Sequence, residues 1–253
     1  MPEPFVLTEQ RGAAFVVTIN RPERRNAVDA ATAVALAEAL QTFEATDDAR
    51  VMVLTGAGGQ SFCAGADLTD MVGLGKRAID GESPLGFTRI TPSKPTIAAV
   101  RGYAVAGGLE LALWCDMRIA SEDAVFGCFE RRWGVPLIDG GTQRLPRVVG
   151  AGRALELVLT GRPVEADEAL SIGLANEVVS NGTEVDRAVE LANQIGGFPW
   201  PTVLSDRQAL LEGLGTPLDH GLQREHELGR EVLMTAREGA ERFAGGEGRH
   251  GKF

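Results

Sequence analysis

The sequence predicts an α/β protein with mostly parallel strand pairing, and three observations carry that prediction. Short, wholly apolar runs at 51–55 (VMVLT) and 96–100 (TIAAV) suit strands buried on both faces. Stretches with a 3.6-residue apolar period separate such runs, and strand–helix alternation favours parallel pairing. The strand signal then ends near residue 197, leaving a tail that reads as helix alone. Taken in order, residues 14–19 (AFVVTI) form a β-rich run, and 30–46 read as a helix that Asp29 is placed to cap. The buried strand at 51–55 leads into a loop over 56–65, and residues 69–84 carry no readable structure. The strand at 96–100 enters a glycine-rich turn at 102–108, followed by a helix through Cys115 and short strands at 117–120 and 124–126. The FPWPT run at 198–202 is a natural break, because the residues around Pro199 and Pro201 are expected to be extended. Beyond it, 202–243 read as helical with interruptions at Gly213 and Gly215, and the closing GGEGRHGKF as flexible. The chain is therefore divided into an α/β core at 1–197 and a helical module at 198–253.

Composition narrows the function. Apolar residues make up 44% of the 253-residue chain and charged residues 24%, which is ordinary for a folded protein able to bury a substantial core. A net charge of −10 disfavours nucleic acid and anionic membrane surfaces, because both would repel it; a few local basic residues can still hold a small anionic ligand. No stretch approaches the roughly 18 to 20 apolar residues of a membrane span, and MPEPFVLTEQ lacks the pattern of a secretory signal. Cys63, Cys115 and Cys128 are odd in number and far apart, so they read as buried thiols of a cytoplasmic protein.

Several motifs can be set aside. GAGGQS and GLGKRA lack the rest of a dinucleotide fingerprint, and neither GxxxxGK[ST] nor GxSxG is present. His220 and His226 do not share a helix face and no CxxC occurs, so no metal site is expected. What remains is glycine-rich backbone and carboxylates. Residues 61–68 (SFCAGADL) and 102–110 (GYAVAGGLE) follow buried strands and carry small residues that allow close backbone approach. A helix starting near Gly108 would add its positive end to the same spot. Two N–H donors from such loops can form an oxyanion hole, and tight strand–helix packing is the competing explanation for the same small residues.

At this point the residues resemble a known family. FCAGAD at 62–67, GGLEL at 107–111, FGCFE at 126–130 and GGTQRL at 140–145 are similar, in order and separation, to successive signatures of the crotonase (enoyl-CoA hydratase/isomerase) superfamily. The resemblance covers about residues 14–179, with a weaker likeness at 237–243 (REGAERF). It implies a crotonase-like spiral of repeated ββα units with a helical C-terminal region, assembled as trimers or dimers of trimers. It also implies an acyl-CoA thioester substrate, no cofactor beyond the coenzyme A of that substrate, and hydration of a trans-2-enoyl-CoA. Double-bond isomerisation and acyl-CoA binding without turnover are the alternatives.

Carried over by resemblance, the N–H groups of Ala66 and Gly107 would hold the thioester oxygen. The backbone around Ala64, with Asp67 and Leu68, would receive the adenine of coenzyme A. Glu110 would activate water and Glu130 would protonate the α-carbon; the competing reading of Glu130 is an ion pair with Arg131 or Arg132. Two close carboxylates in a dry pocket would raise at least one pKa. This chain departs from the family where lysines are common for the coenzyme A phosphates, carrying Glu23 and Thr69. Arg24 and Arg25 can substitute, as can Lys76 or a neighbouring subunit. It departs again at 131–139 (RRWGVPLID), where Asp139 stands near the implied pocket. Asp139 is expected to cap the helix that GGTQRL begins.

Overall fold

The computed structural model describes residues 3–248. It opens with an antiparallel pair, β1 (Val6–Arg11) and β2 (Ala14–Ile19), followed by α1 (Ala30–Ala45) and β3 (Val51–Gly56). Asp29 caps α1 as expected, accepting from the Thr32 N–H at 2.8 Å. Next come β4 (Ser61–Cys63), α2 (Met71–Ile79), β5 (Thr96–Val100), β6 (Tyr103–Val105) and α3 (Gly107–Trp114). The chain continues through β7 (Met117–Ser121), β8 (Val125–Gly127), α4 (Gly141–Val149), α5 (Ala151–Thr160), β9 (Val164–Glu165), α6 (Ala166–Ser171), β10 (Glu177–Val179) and α7 (Glu184–Gly196). Three helices end it: α8 (Trp200–Gly213), α9 (Leu218–Glu231) and α10 (Leu233–Ala244).

Strand order explains how this builds a spiral. The pairs β3–β4, β5–β6 and β7–β8 each give their first strand to a six-stranded sheet, ordered β1-β2-β3-β5-β7-β10. Each gives its second strand to a four-stranded sheet, ordered β4-β6-β8-β9. A helix follows each pair: α2, α3, and then α4 after a short 3-10 turn at Phe129–Trp133. The β4–β6 and β6–β8 pairings are parallel, so the segments leaving these strands emerge at the same end of the small sheet. Phe43, Phe62 and Phe126 are fully buried in the core that the sheets and helices share.

The structure refines several expectations. The loop at 56–65 contains β4 and the turn at 102–108 contains β6; each strand is only three residues long. The unreadable segment at 69–84 contains α2, and β1 is a largely exposed edge strand that the sequence reading left out. The FPWPT run is not extended throughout, because Trp200 and Pro201 already belong to α8. Proline is tolerated there, since the first-turn N–H it lacks has no intrahelical acceptor anyway.

Contacts divide the chain into two compact units, Met1–Asn193 and Gln194–Phe253. Within the second, α8 packs on α9, and Leu218, Leu222, Leu233, Met234 and Phe243 remain exposed. Of the tail expected to be flexible, residues 245–248 form turns and 249–253 lie outside the described residues.

Candidate active site

Two backbone turns at the end of β4 and β6 create the site. Gly65 has φ +94°, and Ala106 is held at φ 53°, ψ −127°, a region that is costly for a residue with a Cβ. The turns meet backbone to backbone: a Cβ on Gly65 would lie 2.7 Å from the Gly107 nitrogen. A Cβ on Gly108 would lie 1.9 Å from the Cys63 carbonyl oxygen, so α3 starts as close to β4 as two main chains can pack.

The same geometry frees two N–H groups. Val28 donates to the Gly65 carbonyl and accepts from the Asp67 N–H, both at 2.8 Å. In such a parallel bridge the intervening Ala66 turns its own N–H to the opposite side. Gly107 opens α3, where N–H groups of the first turn have no acceptor within the helix. Ala66 and Gly107 line one cavity of about 360 Å³, large enough for a small-molecule group.

That cavity is mostly apolar. Leu68, Met71, Leu74, Leu85, Phe129 and Trp133 contribute to its walls, and Glu110, Glu130 and Asp139 interrupt them. Glu110 lies on the first turn of α3 and is 3% exposed. Its Oε1 accepts from the Asp139 N–H at 2.9 Å and the Gly141 N–H at 2.8 Å. Burial pushes its carboxyl up to about 7; the two N–H bonds oppose the rise, while the charges of Asp139 and Glu130 add to it. Glu130, in the 3-10 turn, is 4% exposed, and neither of its carboxyl oxygens has a hydrogen-bond partner among the described residues. Burial pushes its pKa up as well. The two acids thus share a mostly apolar cavity but are held differently: two amides bond Glu110, while the Glu130 carboxyl has no hydrogen-bond partner among the described residues.

The ion-pair reading of Glu130 fails. Arg131 donates to the Val158 carbonyl at 3.1 Å, while Arg132 lies over the Phe129 ring and donates to the Gly161 carbonyl. The capping role expected of Asp139 is also corrected. Gly140 precedes α4 without any side-chain cap, and the Asp139 carboxylate turns instead to Ser83, Leu85 and Thr88. Their hydroxyl and amide donors outcompete the helix start because they enclose the carboxylate on the buried side.

Six of the expected site residues line the cavity: Ala64, Ala66, Leu68, Gly107, Glu110 and Glu130. Asp67 does not; its carboxylate bonds Thr69 and makes a 3.0 Å ion pair with Arg21, which also pairs with Asp29. Burial alone would raise its pKa, but those bonds hold it below the usual carboxylate range. Arg24 and Arg25 are exposed outside the cavity wall, and the Arg25 carbonyl accepts the Ala64 N–H at 3.0 Å. Lys76 is exposed on α2 and pairs with Asp80. The sequence reading missed the cavity face of α2, although Met71, Leu74, Gly75 and Ala78 carry the i, i+3, i+4, i+7 spacing that signals one helix face. Among the described residues, no group of three His, Cys, Asp or Glu side chains could hold a metal ion.

Comparison with known proteins agrees with this architecture. The sequence profile described as enoyl-CoA hydratase/isomerase matches residues 9–247. The chain is 40% identical over 236 residues to a short-chain-enoyl-CoA hydratase of Clostridium acetobutylicum, covering 91% of this chain and 90% of that protein. It is 36% identical to a crotonyl-CoA hydratase of Syntrophomonas wolfei, over 87% and 86% of the two chains. Among solved structures, an enoyl-CoA hydratase from Mycobacterium marinum superposes with a TM-score of 0.89 at 40% identity, covering 96% of each chain.

Proposed function

Because the chain belongs to the enoyl-CoA hydratase/isomerase family, we propose that it is an enoyl-CoA hydratase, a lyase adding water across a trans-2-enoyl-CoA double bond. The observation that carries this reading is the pair of buried carboxyls, Glu110 and Glu130, on one apolar cavity beside the Ala66 and Gly107 amides. Hydration needs a base for water and an acid for the α-carbon, whereas moving a double bond needs one proton shuttle.

In the proposed reaction, Glu110 removes a proton from water as the water oxygen bonds to the β-carbon. The π electrons move toward the thioester, whose oxygen becomes an enolate oxygen. The Ala66 and Gly107 N–H groups stabilise that charge; losing one such donor typically costs on the order of 3 kcal/mol. Glu130 then delivers a proton to the α-carbon, so one water is added in total. Both amides on Glu110 reach Oε1, leaving Oε2 for the water. A carboxyl pushed up to about 7 remains a base at neutral pH and holds the abstracted proton more readily than an ordinary glutamate. Glu130, unpartnered and pushed up, is suited to carrying the proton it donates.

The proposal extends to the rest of the substrate. Ala64 and Leu68 receive the adenosine end of coenzyme A, Arg24 and Arg25 meet its phosphates, and Asp67 shapes the bend through Arg21 and Thr69. No cofactor is needed, because coenzyme A arrives as part of the substrate. Exposed Leu218, Leu222, Leu233, Met234 and Phe243 support assembly into trimers or dimers of trimers, to be read by light scattering after gel filtration. Three buried free thiols suit a reducing cytoplasm.

The deciding experiment follows loss of the enoyl-thioester ultraviolet absorbance when purified protein meets crotonyl-CoA. Rapid loss that disappears in Glu110→Gln and Glu130→Gln is expected. Tight binding of crotonyl-CoA with no loss of absorbance would overturn the hydratase reading in favour of a binding protein.

A further inference from the structure

We propose that Asp139 is a positioning residue for the hydration reaction, aiming the Glu110 carboxylate with its backbone N–H and locking residues 83–88 against the site with its side chain. This inference rests on the hydratase reading above and adds a residue to it.

The geometry joins three parts of the cavity through one residue. The Asp139 Oδ1 accepts from the Ser83 hydroxyl at 2.6 Å, the Thr88 hydroxyl, and the Leu85 N–H at 3.4 Å. Ser83, Thr88 and Asp139 are all buried, so each polar group must find its partner within this knot. Arg144, from α4, fastens the same two segments a second time by donating to the Asp139 and Thr88 carbonyls. The knot holds Leu85 in place, and Leu85 in turn covers Gly107. A Cβ on Gly107 would lie 2.7 Å from Leu85 Cδ1. On its main-chain side, Asp139 shares Glu110 Oε1 with Gly141. One residue therefore touches the proposed base directly and reaches the proposed oxyanion donor through a single side chain.

A cavity wall with no chemical role would use an uncharged acceptor as readily as a carboxylate. Asp139 places a negative charge beside Glu110, and that charge adds to the rise in the Glu110 proton affinity. The other ionisable groups near Glu110 are Glu130 from the 3-10 turn, Cys128 just before it, and Arg144 from α4. Glu130 acts in the same direction as Asp139, and Arg144 in the opposite one. The side chain thus has two separable functions, a tether and a charge.

Three variants separate them. Asp139→Asn keeps the backbone N–H and a side-chain acceptor but removes the charge, so the Glu110 titration should move to lower pH. The acid limb of kcat should move with it, with KM within about twofold. Asp139→Ala removes the tether too; amide exchange at 83–88 should rise about tenfold, with kcat down and KM up by a similar factor. Ser83→Ala combined with Thr88→Val cuts the hydroxyl side of the tether while leaving the carboxylate group in place, so exchange at 83–88 should rise without any change of residue beside Glu110. Glu110 is followed by carbon-13 carboxyl NMR, its signal assigned with Glu110→Gln. That measurement does not depend on turnover, so a protein that fails to hydrate crotonyl-CoA sinks the hydratase reading and still tests the Asp139 coupling. An unmoved Glu110 titration in Asp139→Asn overturns the inference, as does unchanged exchange at 83–88 in Asp139→Ala.

Discussion

Burying Glu110 should destabilise the protein at high pH, and replacing it with glutamine should reveal by how much. Its carboxyl is raised from 4.5 to about 7, chiefly by burial. Between those values the folded state binds more protons than the unfolded state, so stability falls as pH rises through this window. The full cost, present above pH 7, is 2.5 units at 1.36 kcal/mol each, or about 3 kcal/mol. Glu110→Gln removes the ionisation but keeps an Oε1 that can accept from Asp139 and Gly141. Equilibrium urea unfolding of both proteins at pH 5 and pH 8.5, at equal concentration and without substrate, gives a double difference in which unrelated titrations cancel. Relative to wild type, the variant should gain about 2.5 kcal/mol between the two pH values. A stability difference that stays constant to within about 0.5 kcal/mol would refute the argument that desolvation sets the proton affinity of Glu110.

Other consequences follow from the same geometry. Glu130→Gln should lower kcat for crotonyl-CoA by about 10²- to 10⁴-fold with little change in KM; steady-state kinetics would contradict the assigned role if only KM moved. Gly108→Ala drives a Cβ into the Cys63 carbonyl, main chain against main chain, and should cost about 3 kcal/mol or more. A thermal melt unchanged from wild type would refute that close approach. Burial pushes Cys63, Cys115 and Cys128 up to about 12, so a chromogenic disulfide reagent at pH 8 should leave the folded protein largely unlabelled and label all three thiols in denaturant. Rapid labelling of any one before unfolding contradicts its burial.

The sequence exposed the large sheet better than the small one, for a physical reason. Strand β5 is buried throughout and β3 at all but its last residue, runs of five and six residues long enough for composition to identify them. Strands β4 and β6 have three residues each and sit between glycines, so they read as loop and turn. Helix α2 was hidden by two glycines in nine residues, although its cavity-facing positions kept a helical period. At the site, residue type and order were enough to single out Glu110 and Glu130. Which residues hold them depended on long-range contacts: the amides on Glu110 come from positions 29 and 31 residues away. Asp139 illustrates the same limit. Its neighbours along the chain suggest a helix cap, while its actual donors lie more than 50 residues earlier.

The most direct test of the central account is to follow crotonyl-CoA turnover in heavy-oxygen, deuterated water and analyse the product by mass spectrometry and NMR. Paired carboxyls acting as base and acid predict one solvent oxygen bonded at the β-carbon and one deuteron at the α-carbon, both absent with Glu110→Gln or Glu130→Gln. Deuterium entering the acyl chain with no oxygen at the β-carbon would contradict hydration and assign the two glutamates to proton shuttling alone.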